Sequence, residues 1–279
     1  MMRTNILLAT IIILAGLTAQ PAATAWDKQL AGNLNLTQNS FDNWTGGGED
    51  AWSWQVDVNG SARYENENLK MNNSGKFSYG KTRVGDYSAR KSADEIRLES
   101  VLSLKKGVAV NPYVAVTGLT QYSAGYSYPG DTARIEVSNF FDPAYFTQSI
   151  GIGFAPNEML STRMGASLKE TITSDHPVPY ADDPETAAPE NFKFEFGAEV
   201  VTDYRRNFSE NLQLLSKLEL FSNLRAVDQV DVNWDTTITA KVAKSVSTNF
   251  NFRLFYDSDV SPRRQLKQTL ALGISYIII

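Results

Sequence analysis

His176 is the only histidine in the chain, and histidine is the residue type most often used as a general base. It stands in Ser174-Asp175-His176-Pro177, so a Ser/His or Asp/His hydrolase is the sharpest chemistry on offer. That chemistry needs an imidazole oriented by a third group and within hydrogen-bond reach of its nucleophile. The spacing shows neither. A lone histidine in a Pro- and Asp-rich loop reads as a surface residue, so no catalytic residue is assigned and the chain is read as a non-enzyme.

Asp175, Asp182, Asp183 and Glu185 gather carboxylates in that same loop, and Asp257-Ser258-Asp259 forms a smaller acidic turn. Calcium takes about six to eight oxygens in recognisable ligand spacings, and neither segment matches one. A solvated acidic loop is the simpler reading. Gly46-Gly47-Gly48 has no following lysine-serine pair and no helix after it, so it is not a phosphate loop. No metal and no cofactor are expected. Asn43 and Trp44, with Gly46, Gly47 and Gly48, are candidates for a loop packed back as a lid or plug. Asn139, Phe140 and Phe141 are a second lid candidate, set against the plainer role of a hydrophobic loop anchor.

The largest set of chemically capable residues is a face. Asp57, Arg63, Arg97, Glu99, Arg163, Lys169, Lys193, Glu195, Glu199, Lys217, Glu219, Asp231, Asp235 and Arg253 all fall on the polar side of segments that alternate with period two. Trp52, Trp54, Val56 and Val58 alternate with Ser53, Gln55 and Asp57. Phe192, Phe194 and Phe196 alternate with Lys193 and Glu195, and Phe250, Phe252 and Leu254 with Asn251 and Arg253. Such alternation is the pattern of a strand with two unlike faces. With weaker stretches near 29–37, 69–80, 94–104, 112–124, 146–155, 160–173 and 212–221, the count is about twelve strands of about ten residues, enough to cross the apolar band of an outer membrane at the usual tilt. Glu170 and Gln268 fall on the apolar face, which is tolerable near a strand end.

The links alternate in length. Long ones lie near 38–51, 81–93, 125–145, 174–190, 222–230 and 258–264, and short ones near 65–68, 105–111, 156–159, 205–211 and 243–245. Short periplasmic turns alternating with long outer loops are what a membrane barrel requires. Pro112, Pro129, Pro143, Pro156, Pro177, Pro179, Pro184, Pro189 and Pro262 mark the links or strand margins, since proline cannot donate to a ladder. Trp52, Tyr64, Tyr79, Tyr113, Phe146, Phe154, Tyr204 and Tyr256 lie near strand ends, where aromatic girdles form.

Composition agrees. The chain has no cysteine, 11 % aromatic residues and a formal net charge of −5, which argues against nucleic acid as a partner. Arg3, the apolar run from Ile6 to Leu17 and Ala23-Thr24-Ala25 read as an export signal over residues 1–25, leaving 26–279 as one barrel domain. The fold class expected is all-β: a transmembrane antiparallel up-and-down barrel in the cell outer membrane. Its expected partners are outer-membrane lipid and the outer-membrane assembly machinery. A barrel of this size either carries or binds small polar solutes, or closes by pairing its charges and serves as a structural or assembly partner of other envelope proteins.

Several irregular motifs sit outside the alternation. Gln38-Asn39-Ser40-Phe41-Asp42-Asn43-Trp44-Thr45-Gly46-Gly47-Gly48 is followed in order by Lys91-Ser92-Ala93-Asp94, Gln121-Tyr122-Ser123-Ala124-Gly125-Tyr126 and Ser138-Asn139-Phe140-Phe141-Asp142-Pro143-Ala144-Tyr145. Leu218-Glu219-Leu220-Phe221-Ser222-Asn223, Asp231-Val232-Asn233-Trp234 and Tyr256-Asp257 complete the set. Together they resemble a family of bacterial outer-membrane barrels known as domain of unknown function 3078. The resemblance implies a barrel and an outer-membrane location and implies no activity. Such barrels commonly finish on an aromatic residue that the assembly machinery reads, whereas this chain ends Tyr276-Ile277-Ile278-Ile279.

Overall fold

A computed structural model describes residues 26–42, 45–106, 109–129, 133–180, 189–225, 229–258 and 260–278. The expected export signal, and Asn43 and Trp44 of the first loop, lie outside the described residues. The strands are β1 (Asp27–Asn39), β2 (Ala51–Glu65), β3 (Leu69–Val84), β4 (Arg90–Leu104), β5 (Val110–Thr120), β6 (Gly125–Ser127), β7 (Ile135–Ser138), β8 (Ala144–Phe154), β9 (Leu160–Ile172), β10 (Phe192–Ser209), β11 (Leu212–Asn223), β12 (Val230–Ala243), β13 (Val246–Tyr256) and β14 (Gln265–Ile277). All but β6 and β7 pair with their neighbours in one antiparallel barrel. It closes where β1 meets β14, with Leu34 opposite Ile274 and Leu36 opposite Leu272. Closure leaves no exposed sheet edge, the condition for strands to stand in lipid.

The inside and outside are inverted relative to a water-soluble protein. Leu98, Ile150, Phe196, Leu270 and Ile274 are half or more exposed, while Glu95, Glu99, Arg163, Glu195 and Glu199 are buried. Large apolar side chains turned outward around a closed wall need an apolar solvent, so the wall is a transmembrane one. Glu170 and Gln268 are outward-facing exceptions, and Glu170 is the buried one. It lies near the outer end of β9, in register between Phe146 of β8 and Phe194 of β10, and is only 4 % exposed.

Three details differ from the sequence reading. The barrel strands run to between 11 and 18 residues, longer than an apolar band requires, because polar residues continue the ladder past it. The link read at 205–211 shrinks to two residues, since β10 extends to Ser209 and pairs with β11 down to Leu212. Tyr113 belongs to no outer girdle. The register that sets Arg97 opposite Leu119 turns the odd residues of β5 inward, and Tyr113 is 3 % exposed with its hydroxyl 3.4 Å from Glu199.

Candidate functional site

The site is the lumen. Each barrel strand contributes its polar alternate residues, and the registers stack them into tiers. Near mid-height, Arg97 of β4 donates to Glu219 of β11, and Arg253 of β13 donates to Glu95 of β4. Lys76 of β3 lies 3.4 Å from Asp235 of β12 and 3.1 Å from Glu95. Glu99 gathers three cations, with Lys217 at 2.7 Å, Arg163 at 3.1 Å and Arg97 at 3.5 Å. A second tier lies toward the outer mouth, where Lys169 approaches Asp231 at 2.7 Å, Asp257 at 3.1 Å and Glu195 at 3.7 Å, with Lys193 3.8 Å from Glu195. Asp57 stands apart from both tiers and accepts bonds from Asn35, Gln55 and Ser78. Arg63 sits at the periplasmic mouth, paired with Glu65 at 2.7 Å.

The first tier reaches across the barrel. In the closed strand order, β4 and β11 stand five places apart, as do β4 and β13, and β3 and β12 are just as nearly opposite. A circular barrel of twelve strands would be roughly 24 Å across between Cα atoms at the usual spacing and tilt. An extended arginine facing an extended glutamate spans only about 15 Å between the same atoms. The observed contacts therefore require a flattened section at the waist, with β3 and β4 pressed toward β11 to β13.

Flattening demands sharp curvature at the two ends of the section, and small residues stand there. At the end formed by β8 and β9, Gly151 is opposite Gly165. A Cβ on Gly151 would lie 2.1 Å from the Met164 carbonyl oxygen, and one on Gly165 2.2 Å from that of Ile150. Both obstacles are backbone, so neither can give way. Glycine in a strand is a known mark of a tight barrel corner. At the opposite end, a Cβ on Gly273 of β14 would meet the Asn35 side chain at 2.3 Å.

Ion pairs at the waist divide the lumen. In the half walled by β5 and β8 to β13 they leave a space of about 770 Å³, part of it continuous with solvent. Arg97, Arg163, Glu199 and Glu219 line it from the waist, and Lys169, Asp231 and Asp257 from the second tier. Thr117, Thr147, Leu119, Val201, Phe221 and Phe255 supply its walls. Arg163 is 9 % exposed, and its Nε has no hydrogen-bond partner. Leu119 and Tyr145 also border a second space at the outer mouth, beside Tyr180 and Arg253. Tyr145 and Tyr180 pack edge to face, 6.2 Å between centroids.

Asp142 fixes the loops above that mouth. It is 1 % exposed and accepts bonds from the backbone nitrogens of Ser174, Asp175 and His176 and from the Ser174 hydroxyl. The His176 Nδ1 lies 3.0 Å from the same carboxylate. Burial opposes ionisation of Asp142, yet those backbone and side-chain bonds prevail and hold its carboxyl below the usual value. This carboxylate ties the segment before β8 to the segment after β9, and Tyr180 follows on a short 3-10 turn, Val178–Tyr180. Ser174 gives its hydroxyl to Asp142 and not to the imidazole, so Ser174, Asp142 and His176 form a structural latch rather than a nucleophile–base pair.

Among the remaining loop candidates, Asn139 bridges to Asp142 through paired backbone bonds. Phe140 is 59 % exposed, and Phe141, at φ +59°, packs on outward-facing Phe146 with 5.8 Å between centroids. Both rings therefore extend the apolar outer wall and do not cover the mouth. Gly46 lies in a turn, and Gly47 and Gly48 take positive φ values, with Gly48 held against Phe41. The sequence reading missed Lys76 and Glu95, pairing partners in the first tier that follow the alternation of their strands and were discernible by extending it. Asp257, read in sequence as part of an acidic turn, continues the alternation of β13 by one residue and completes the second tier.

A family model described as a protein of unknown function (DUF3078) matches residues 36–126, which hold the first three of the motifs that resemble that family, and a second, also of unknown function (DUF481), matches residues 156–276, where most of the later motifs fall. No curated protein matches the chain. Among solved structures, the translocator domain of the autotransporter NalP from Neisseria meningitidis is 11 % identical, covers 99 % of this chain and 94 % of that one, and has a TM-score of 0.42. An outer-membrane channel from Pseudomonas putida F1 is also 11 % identical, with 93 % and 98 % covered and a TM-score of 0.40.

Proposed function

We propose that this protein is an outer-membrane barrel that binds small polar solutes from the outer side and holds no open pore through its waist. The observation that carries this reading is the meeting of opposite charges from opposite walls: Arg97 with Glu219, Arg253 with Glu95, and Lys76 with Asp235. A passive channel keeps its wall charges hydrated and apart. Here the same charges neutralise one another and occupy the path, while a space bordered by both charged and apolar side chains remains above them. Ion pairs of this kind are costly to separate because each partner would be left partly desolvated.

Planar-bilayer recording tests the reading. The wild-type barrel, shown to be inserted, should give no discrete current steps. Replacing each of the three crossing pairs by serine on both sides keeps the charge balanced and should produce steps. Stable steps from the wild type would contradict the closed waist.

A further inference from the structure

We infer that the space above the waist is a site for a small zwitterion with an aromatic or branched apolar body, such as an aromatic amino acid. This rests on the reading of the lumen as a binding barrel and names the ligand class.

The argument begins with the charges. Arg97, Arg163 and Lys169 border the space together with Glu199, Glu219 and Asp231, and all six are engaged with opposite charges already. A ligand of one sign that joined any of these pairs would leave a buried group uncompensated, the costly outcome for ionic sites. A ligand carrying both signs can exchange with a pair and leave every charge matched. One donor lacks a hydrogen bond: Arg163 Nε, buried, with its ion-pair partner Glu199 3.6 Å away. A ligand carboxylate that displaced Glu199 from Arg163 would accept from that nitrogen, and the ligand's ammonium group would pair with the Glu199 so released. The rest of the wall is apolar or aromatic. Leu119, Val201, Phe221 and Phe255 face the same space, and Tyr145 stands between it and the outer mouth. Pockets of this mixed kind bind by burying an apolar body while a few polar groups fix its orientation.

Equilibrium dialysis of the full chain, refolded in detergent, tests the inference with three probes: L-phenylalanine, phenylacetate and phenethylamine. Phenylalanine should be retained saturably at one per chain. Phenylacetate and phenethylamine each lack one of the two charges and should bind about tenfold more weakly or worse. Filling the space by Thr147→Trp, or from the neighbouring strand by Thr117→Trp, should abolish retention in whichever variant keeps the heat-modifiable gel mobility of a folded barrel. Equal retention of a single-charge analogue, no retention of phenylalanine, or retention unchanged by a folded filling variant would each overturn the assignment. An open waist would show separately, as wild-type conductance, whatever the dialysis reads.

Discussion

Glu99 meets cations from three other places on the wall, and its side chain is 8 % exposed. Replacing it by glutamine keeps the shape and leaves Arg97, Arg163 and Lys217 with too little negative charge. The expected cost is up to about 3–5 kcal/mol, the range for breaking a buried pair by removing one partner. Glu65 also holds two cations, Arg63 and Lys105, but it lies at the periplasmic mouth with its side chain 37 % exposed. Glu65→Gln should cost no more than about 1 kcal/mol, as exposed pairs do. Urea unfolding of the two variants side by side separates the cases, and equal midpoints would mean that the waist pairs are as solvated as the rim. Asp142 carries a pH dependence. Its folded carboxyl titrates below the unfolded one, so its contribution is fully present above the ordinary aspartate range and is lost as pH falls through the folded value. Amide exchange at Ser174 and Asp175 should therefore stay slow, beyond its intrinsic pH trend, from neutral pH down to about 4 and lose protection below that. Asp142→Asn should remove the protection at every pH.

At the scale of elements, the facing pair Gly151 and Gly165 marks the tight end of the section. A side chain at either position meets backbone that belongs to the neighbouring strand. Gly165→Ala should destabilise the barrel by about 1–3 kcal/mol, the usual cost of overpacking. Gly153→Ala, where a Cβ would sit 3.7 Å from the nearest atom, should be nearly neutral. Refolding yields measured by heat-modifiable mobility check the contrast. These two glycines also show what was legible. Alternation in β2, β10 and β13 is plain in the amino-acid order because one face must be apolar for lipid, and proline marks the breaks between strands. A glycine in the same order looks like any other small residue. Its role depends on which strand lies opposite and how sharply the sheet turns, and neither is a local property. Tyr113 misled for a related reason: its place near a strand end suggested a girdle, while the register with β4 turned it inward.

For the whole molecule, period two assigns a side chain to a face but says nothing of what it meets across the lumen. Arg97 and Glu219 are 122 residues apart, Arg253 and Glu95 158, and Lys76 and Asp235 159. No spacing rule links residues so distant, so an open polar pore and a shut one read alike in sequence. The flattened waist decides between them, and its cross-section can be measured directly. The chain has no cysteine, so spin labels can be placed at will. One pair, Leu98→Cys with Leu218→Cys, sits on the outer wall beside Arg97 and Glu219 and reports the short axis. A second pair, Ile150→Cys with Leu34→Cys, lies near the two glycine ends and reports the long axis. Neither pair disturbs the lumen. Pulsed electron paramagnetic resonance should find the first distance shorter than the second by roughly 10 Å, as a flattened twelve-stranded wall requires. Equal distances would mean a round barrel, in which these ion pairs could not meet and the waist would stand open.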